Sequence, residues 1–130
     1  MNAASASGAG AKPVVLVVDD ERSLLEVMRL GLAARFDVET AVSTEEAEML
    51  LALRKFDAIV CDYLMPREMG LDFLIRARER WPAARRILLT GYMNPELISR
   101  SVAVAGLSAC LLKPTSPTEL GNVLTSALAG

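Results

Sequence analysis

The sequence predicts an α/β fold, a doubly wound five-stranded parallel sheet with helices on both faces. Three observations predict it. Short apolar runs alternate five times with longer amphipathic segments, joined by short connections without internal repeat or linker. The first run, Val14 to Val18, is apolar at every position, as a strand buried on both faces must be. Residues that start helices stand where three of the amphipathic segments open, at Ser43, Asn94 and Ser116.

Taken in order, Val14 to Val18 is the first strand. Glu21 to Arg35 places Leu24, Leu25, Met28 and Leu32 at helical spacing. Phe36 to Ala41 reads as the second strand. Ser43 and Glu46 form a capping-box pattern, opening a helix with Ala47, Leu50 and Leu51 on one face. Asp57 to Cys61 is the third strand. A helix over Gly70 to Arg80 turns Leu71, Leu74 and Ile75 inward and stops at Trp81-Pro82. Arg86 to Leu89 is the fourth strand. Asn94-Pro95 supplies an N-cap and a first-turn proline to a helix whose best stripe is Ile98, Val102 and Ala105. Ala109 to Leu112 is the fifth strand. Ser116, Pro117 and Glu119 start the last helix, which carries Leu120, Val123, Leu124, Ala127 and Leu128.

Composition bounds the function. With 130 residues, 52% hydrophobic and 23% charged, the chain builds one ordinary domain. Residues 13–130 form that domain, and the Ala/Ser/Gly-rich residues 1–12 read as a disordered leader. A net charge of -2 gives no electrostatic reason for direct nucleic-acid binding. No apolar stretch is long enough to span a membrane. Histidine is absent, so imidazole catalysis and imidazole metal ligation are excluded. Cys61 and Cys110 read as small buried hydrophobes, which fits a reducing cytoplasm.

The chemistry gathers at the C-terminal ends of the strands. Asp19 and Asp20 follow the first strand, Asp62 the third, Thr90 the fourth and Lys113 the fifth. Two doubly wound orders are common at this size. In the order 2-1-3-4-5, strands one and three flank the switch point where such sheets bind ligands. That order brings three carboxylates together, and their repulsion calls for a hard divalent cation. A lysine beside them points to an additional anion. It also separates Cys61 from Cys110 by a whole strand, too far for a disulfide.

At this point the chain resembles the response-regulator receiver domain, a CheY-like, flavodoxin-like (βα)5 fold. The resemblance rests on Val17-Val18-Asp19-Asp20-Glu21, on Asp62-Tyr63-Leu64-Met65-Pro66 with Gly70 following, on Leu89-Thr90-Gly91 and on Leu112-Lys113-Pro114. It implies a phosphoryl-accepting switch of a two-component system. Asp62 would accept the phosphoryl group from a sensor histidine kinase or phosphotransferase. Asp20 would bind Mg²⁺ directly and Asp19 directly or through water, with Asp62 and the Leu64 carbonyl completing the protein ligands. Thr90 and Lys113 would hold phosphoryl oxygens, Lys113 as a point charge. A cis Lys113-Pro114 bond is implied as well. The output would be a shifted interaction face, formed by the fourth helix, fifth strand and fifth helix, that meets a partner or a second copy. Catalysis would be limited to Mg²⁺-dependent self-phosphorylation and slow self-dephosphorylation.

The match departs at one position. Receivers carry Tyr or Phe three residues before the lysine, and here that residue is Cys110. A thiol lacks the bulk of a ring that swings inward. Tyr92 either takes over part of that reporting role or packs over the site, and with Leu64 it would slow attack by water. Cys110 leaves open a degenerate receiver working as a phosphorylation-independent interaction module. A Mg²⁺ phosphatase is disfavoured, because the second residue after Asp62 is Leu64 rather than an acid. Dinucleotide binding is disfavoured because Asp-Asp-Glu, not a glycine-rich turn, follows the first strand. No effector domain follows the last helix, so the chain reads as a stand-alone regulator or an excised receiver.

Overall fold

The computed structural model describes residues 11–91 and 94–130. Ten elements alternate along the chain: β1 (Val14–Val18), α1 (Arg22–Leu32), β2 (Asp37–Ala41), α2 (Thr44–Leu53), β3 (Ala58–Asp62), α3 (Gly70–Arg80), β4 (Arg85–Thr90), α4 (Pro95–Ala105), β5 (Ala109–Leu112) and α5 (Pro117–Ala129). The five strands form one parallel sheet in the order β2-β1-β3-β4-β5. The predicted fold class and strand order are therefore observed.

Strand alternation builds two cores. Val15 and Val17 of β1, Ala58 and Val60 of β3, and Ile87 and Leu89 of β4 face one side, where Leu25, Met28 and Leu32 of α1 and Leu120 and Leu124 of α5 cover them. Leu16, Val18, Ile59, Cys61 and Leu88 face the other side, under Ala47 and Leu51 of α2, Phe73, Leu74 and Ala77 of α3, and Ala105 of α4. Each fully buried aliphatic side chain contributes about 1.5–3 kcal/mol of transfer free energy. Both faces of the central strands are thus sealed, and their functional residues emerge only at the strand ends.

The structure corrects several local readings. Helix α1 ends at Leu32, three residues before the expected limit. Beyond it the Arg35 guanidinium turns to α5, donating to the Gly121 carbonyl at 3.0 Å and to Thr125 Oγ1 at 2.7 Å. The inward face of α3 is Phe73, Leu74 and Ala77, with Leu71 and Ile75 only partly buried at its margin. In α4 the buried residues are Ser101 and Ala105, while Val102 is exposed. Ser101 is tolerated there because its hydroxyl donates to the Leu97 carbonyl one turn back, at 2.7 Å.

The caps behave mostly as read. Ser116 and Glu119 make the full reciprocal capping box of α5. Asn94 accepts from the Glu96 and Leu97 amides at the start of α4. Ser43 accepts from the Glu46 amide, but the Glu46 carboxylate accepts from the Val42 N–H rather than from Ser43, so the box of α2 is displaced by one residue. Gly106 closes α4 in the left-handed conformation, with φ 60°. Among the described residues, no helix is long and apolar enough to cross a membrane.

Candidate functional site

Register decides what meets what. Val18 of β1 pairs with Cys61 of β3, so Asp19 and Asp62 are the next residues on adjacent strands. Thr90 of β4 pairs with Leu112 of β5, so Lys113 follows directly beside it, and the Lys113 amide donates to the Thr90 carbonyl at 2.8 Å. The fold thus delivers Asp19, Asp62, Thr90 and Lys113 to one edge of the sheet. Asp19, Thr90 and Asp62 are all buried, and Asp20 is exposed beside them.

The Lys113 ammonium sits between two carboxylates. Its Nζ lies 3.2 Å from Asp19 Oδ2 and 3.2 Å from Asp62 Oδ1. The second oxygen of Asp19 accepts from the Glu21 N–H at 2.9 Å, which locks its side chain at the start of α1. Glu21 occupies the N-cap position of that helix. The Lys113-Pro114 bond is cis, as the resemblance implies.

Electrostatics follow from this packing. Burial raises the Asp62 pKa, against the hydrogen bond and charge of Lys113, and the neighbouring Asp19 and Asp20 charges raise it further. Burial acts to lower Lys113, but the two carboxylates outweigh it and hold the ammonium above its ordinary value. The Cys61 thiol is pushed well up by burial and then by the Asp62 charge, so it stays protonated. It donates to the Asp62 carbonyl at 3.3 Å.

The donor set fits a hard cation. Asp19, Asp20 and Asp62 each offer a carboxylate oxygen, and these oxygens lie within 4.8 Å of one another. Around an octahedral Mg²⁺, ligand oxygens stand about 3.0 Å apart when adjacent and about 4.2 Å apart when opposite, so the three carboxylates must draw in to bind it. Oxygen-only ligation also matches magnesium rather than a soft metal. Leu64 stands in the loop after β3 with an exposed side chain, 55% accessible.

Comparison with known proteins decides the family. Residues 15–125 match the response regulator receiver domain model. The chain belongs to the response regulator receiver domain family. It is 40% identical over 114 residues to the hydrogenase transcriptional regulatory protein HoxA of Cupriavidus necator, covering 88% of this chain and 24% of that protein. It is 33% identical over 107 residues to the alginate biosynthesis transcriptional regulatory protein AlgB of Pseudomonas putida, covering 82% and 24%. The receiver thus spans about a quarter of the length of these relatives. Among solved structures, the chemotaxis response regulator CheY4 of Vibrio cholerae superposes with a TM-score of 0.82 at 29% identity, over 91% of this chain and 100% of that one. The signal receiver domain of an HD domain-containing protein from Pseudomonas fluorescens Pf-5 gives 0.83 at 28% identity, over 91% and 95%.

Receivers are signalling domains that work with histidine kinases or phosphotransferases, and the family typically uses Mg²⁺ at its acidic pocket. Of the site residues read from the sequence, the structure clusters Asp19, Asp20 and Asp62 with Lys113, and sets Thr90 beside Lys113 at the same end of the sheet. Tyr92 lies outside the described residues, as does most of the leader. Cys110 is half-buried against the core on the α3–α4 side, and both cysteines are free. Cys61 and Cys110 flank Leu88 from opposite sides, one strand apart on each side. Sequence reasoning missed an ionic network between α2, α3 and the loop after β3, in which Arg76 joins Glu68 to Glu48. Its members are 8 and 28 residues from Arg76, so no local pattern announces it.

Proposed function

We propose that this receiver is a phosphoryl-accepting switch in which Asp62 is the acceptor. The observation that carries the reading is the Lys113 ammonium held 3.2 Å from both Asp19 and Asp62. A cation in that place neutralises an anionic nucleophile and is ready to pair with an incoming phosphoryl oxygen. An Asp62 carboxylate oxygen attacks phosphorus. The bond from phosphorus to the donor breaks, and its electrons leave with the imidazole of a phosphohistidine or with the acetate of acetyl phosphate. The product is a mixed anhydride, the aspartyl phosphate.

Mg²⁺, when bound, screens the repulsion between the two anions and neutralises charge on the transferring group. Asp19, Asp20, Asp62 and the Leu64 carbonyl would hold it. Thr90, buried at the end of β4, donates its hydroxyl to a phosphoryl oxygen. Lys113 exchanges part of its bond to Asp62 for another of those oxygens.

Readout goes through α4, β5 and α5. Val102 and Leu112 expose apolar side chains on α4 and β5, 41% and 45% accessible, which suits a surface whose partner or second copy is recruited on phosphorylation. The similarity to HoxA and AlgB supports the same role within a longer, cytoplasmic transcriptional regulator. Direct nucleic-acid contact is not assigned to this domain, whose net charge is -2.

The test is intact-protein mass after incubation with acetyl phosphate. A gain of one phosphoryl group that requires Mg²⁺ and vanishes in Asp62→Ala supports the proposal. A beryllofluoride complex that forms only with Mg²⁺ supports it independently of donor choice. Absence of both would overturn it in favour of the phosphorylation-independent module.

A further inference from the structure

The loop from Tyr63 to Met69 joins the acceptor strand to α3, and its shape sets where the Leu64 carbonyl lies. Two backbone features shape it. Leu64 and Met69 pair across the loop in an isolated antiparallel bridge, flanked by the Gly70 amide donating back to the Tyr63 carbonyl at 2.8 Å. Arg67 adopts φ 75°, a left-handed conformation that costs a side-chain-bearing residue about 1–2 kcal/mol. A loop held partly in an unfavourable conformation needs an outside restraint.

Glu68 supplies the handle for that restraint. Arg76, on the second turn of α3, grips both of its carboxylate oxygens, Nη1 to Oε2 at 2.6 Å and Nη2 to Oε1 at 2.8 Å. The same guanidinium donates to Glu48 of α2, and Arg80 donates to the other oxygen of Glu48 at 3.0 Å. Thr44, buried at the start of α2, also favours the charged form of Glu68. Glu68 is therefore held by a network that spans two helices, with its side chain 23% accessible. A bidentate, partly buried pair of this geometry constrains far more than an exposed ion pair does.

We propose that Arg76 is a positioning residue for the metal pocket: through Glu68 it holds Met69, and through the Met69–Leu64 bridge it holds the Leu64 carbonyl in place for Mg²⁺. This rests on the reading of Asp62 as a Mg²⁺-dependent phosphoryl acceptor. Restraint is passed along covalent and hydrogen-bonded neighbours, so each link is short. Arg76 touches no reacting atom.

Simple charge effects and positioning predict opposite signs. Removing the Arg76 charge takes a cation away from an acidic protein, which on Coulomb grounds tightens Mg²⁺ binding. Loss of positioning weakens it. The effect expected is a rise of about 3- to 10-fold in the Mg²⁺ dissociation constant, less than the ~10–100-fold typical of a group bonded directly to a metal ligand.

The experiment titrates MgCl2 into the full chain and follows backbone amide shifts of residues 19, 20 and 62 by NMR, with thermal midpoints measured in parallel. The variants are Arg76→Ala, Arg76→Lys, Glu68→Gln and Arg76→Ala/Glu68→Gln, with Arg54→Ala as a control at the Asp37 and Glu39 ion pairs of β2. The proposal predicts weakened Mg²⁺ binding in Arg76→Ala, partial rescue in Arg76→Lys and unchanged binding in Arg54→Ala. It also predicts a double variant no weaker than the worse single, because one restraint is lost only once. Unchanged or tighter binding in folded Arg76→Ala overturns it. If that single variant does not fold, a double variant that binds Mg²⁺ as the wild type does overturns it instead, since two opposite charge effects would then have cancelled. A wild type without any Mg²⁺-dependent shift defeats the acceptor reading itself, an outcome distinct from failure of the clamp alone.

Discussion

Gly70→Ala is the most revealing single substitution outside the carboxylates. Gly70 opens α3 directly beneath the acceptor strand. A Cβ there would stand 1.9 Å from the Asp62 carbonyl oxygen, 2.9 Å from its carbonyl carbon and 3.0 Å from Cys61 Sγ. A relaxed carbon-to-carbonyl contact is about 3.3 Å, so one side must retreat by roughly 1.4 Å. The obstacle is backbone, and no rotamer change relieves it. If β3 yields, Asp62 is displaced from its pairing with Leu89 and from Lys113. If α3 yields, the fully buried Phe73 and Leu74 are drawn out of the core. Overpacking by side chains costs about 1–3 kcal/mol, and a backbone clash belongs at the upper end, about 3 kcal/mol. Against a total of about 5–15 kcal/mol this is a large loss, and at a urea slope of about 1.5 kcal/mol/M it lowers the midpoint by roughly 2 M. Equilibrium urea unfolding measures it, with acetyl phosphate labelling of the folded fraction alongside. A midpoint within about 0.5 M of wild type, together with unchanged labelling, would refute the reasoning.

Three further outcomes are expected. Asp62→Asn should raise the urea midpoint in the absence of Mg²⁺: the folded pKa of Asp62 lies above its unfolded value, so its charge costs stability as pH rises through that window, and an amide is spared this cost. Added Mg²⁺ should narrow the gap by stabilising the wild type more, whereas an Asn variant less stable than wild type without Mg²⁺ would reverse the argument. Arg67→Gly should stabilise the fold by about 0.5–1 kcal/mol, because relief of the left-handed strain exceeds the added chain entropy and the exposed Arg67–Glu45 pair contributes little; a loss of stability by chemical denaturation would contradict it. The bond from Arg76 holds Glu68 below its usual carboxylate pKa of 4.5, so the pair's contribution is full above that value and is lost as pH falls through the folded one. Thermal midpoints of wild type and Arg76→Ala should therefore converge on acidification from neutral pH, and a constant difference would remove this account of the pair.

How much of this was legible in the sequence depends on the range of the interaction. The strands were, because β1 and β3 are buried on both faces and must be apolar up to their C-terminal ends. The strand-end residues were as well, since a parallel sheet aligns its C-terminal ends and puts Asp19, Asp62 and Lys113 together without further information. Helix faces were less so. In α3 the pattern of Leu71, Leu74 and Ile75 was visible, but Phe73 and Ala77 point at the sheet, because the angle at which the helix docks decides the buried stripe. In α4 the small buried residues Ser101 and Ala105 carry little hydropathy, while Val102 stays outside. Arginine contacts were illegible. Arg86 donates to the Ala84, Ala105 and Gly106 carbonyls, and Arg78 to those of Ala103 and Val104, so two side chains hold the C-terminal end of α4. Nothing in the local sequence distinguishes them from solvated surface arginines.

The account turns on which carboxylate takes the phosphoryl group. Borohydride reduction of the acetyl phosphate-treated protein, followed by peptide mass mapping, reads this directly, because reduction of an aspartyl phosphate leaves homoserine at the modified position. Homoserine at position 62, formed only when Mg²⁺ was present, is the predicted result. Homoserine at Asp19 or Asp20, or at position 62 regardless of Mg²⁺, would contradict it.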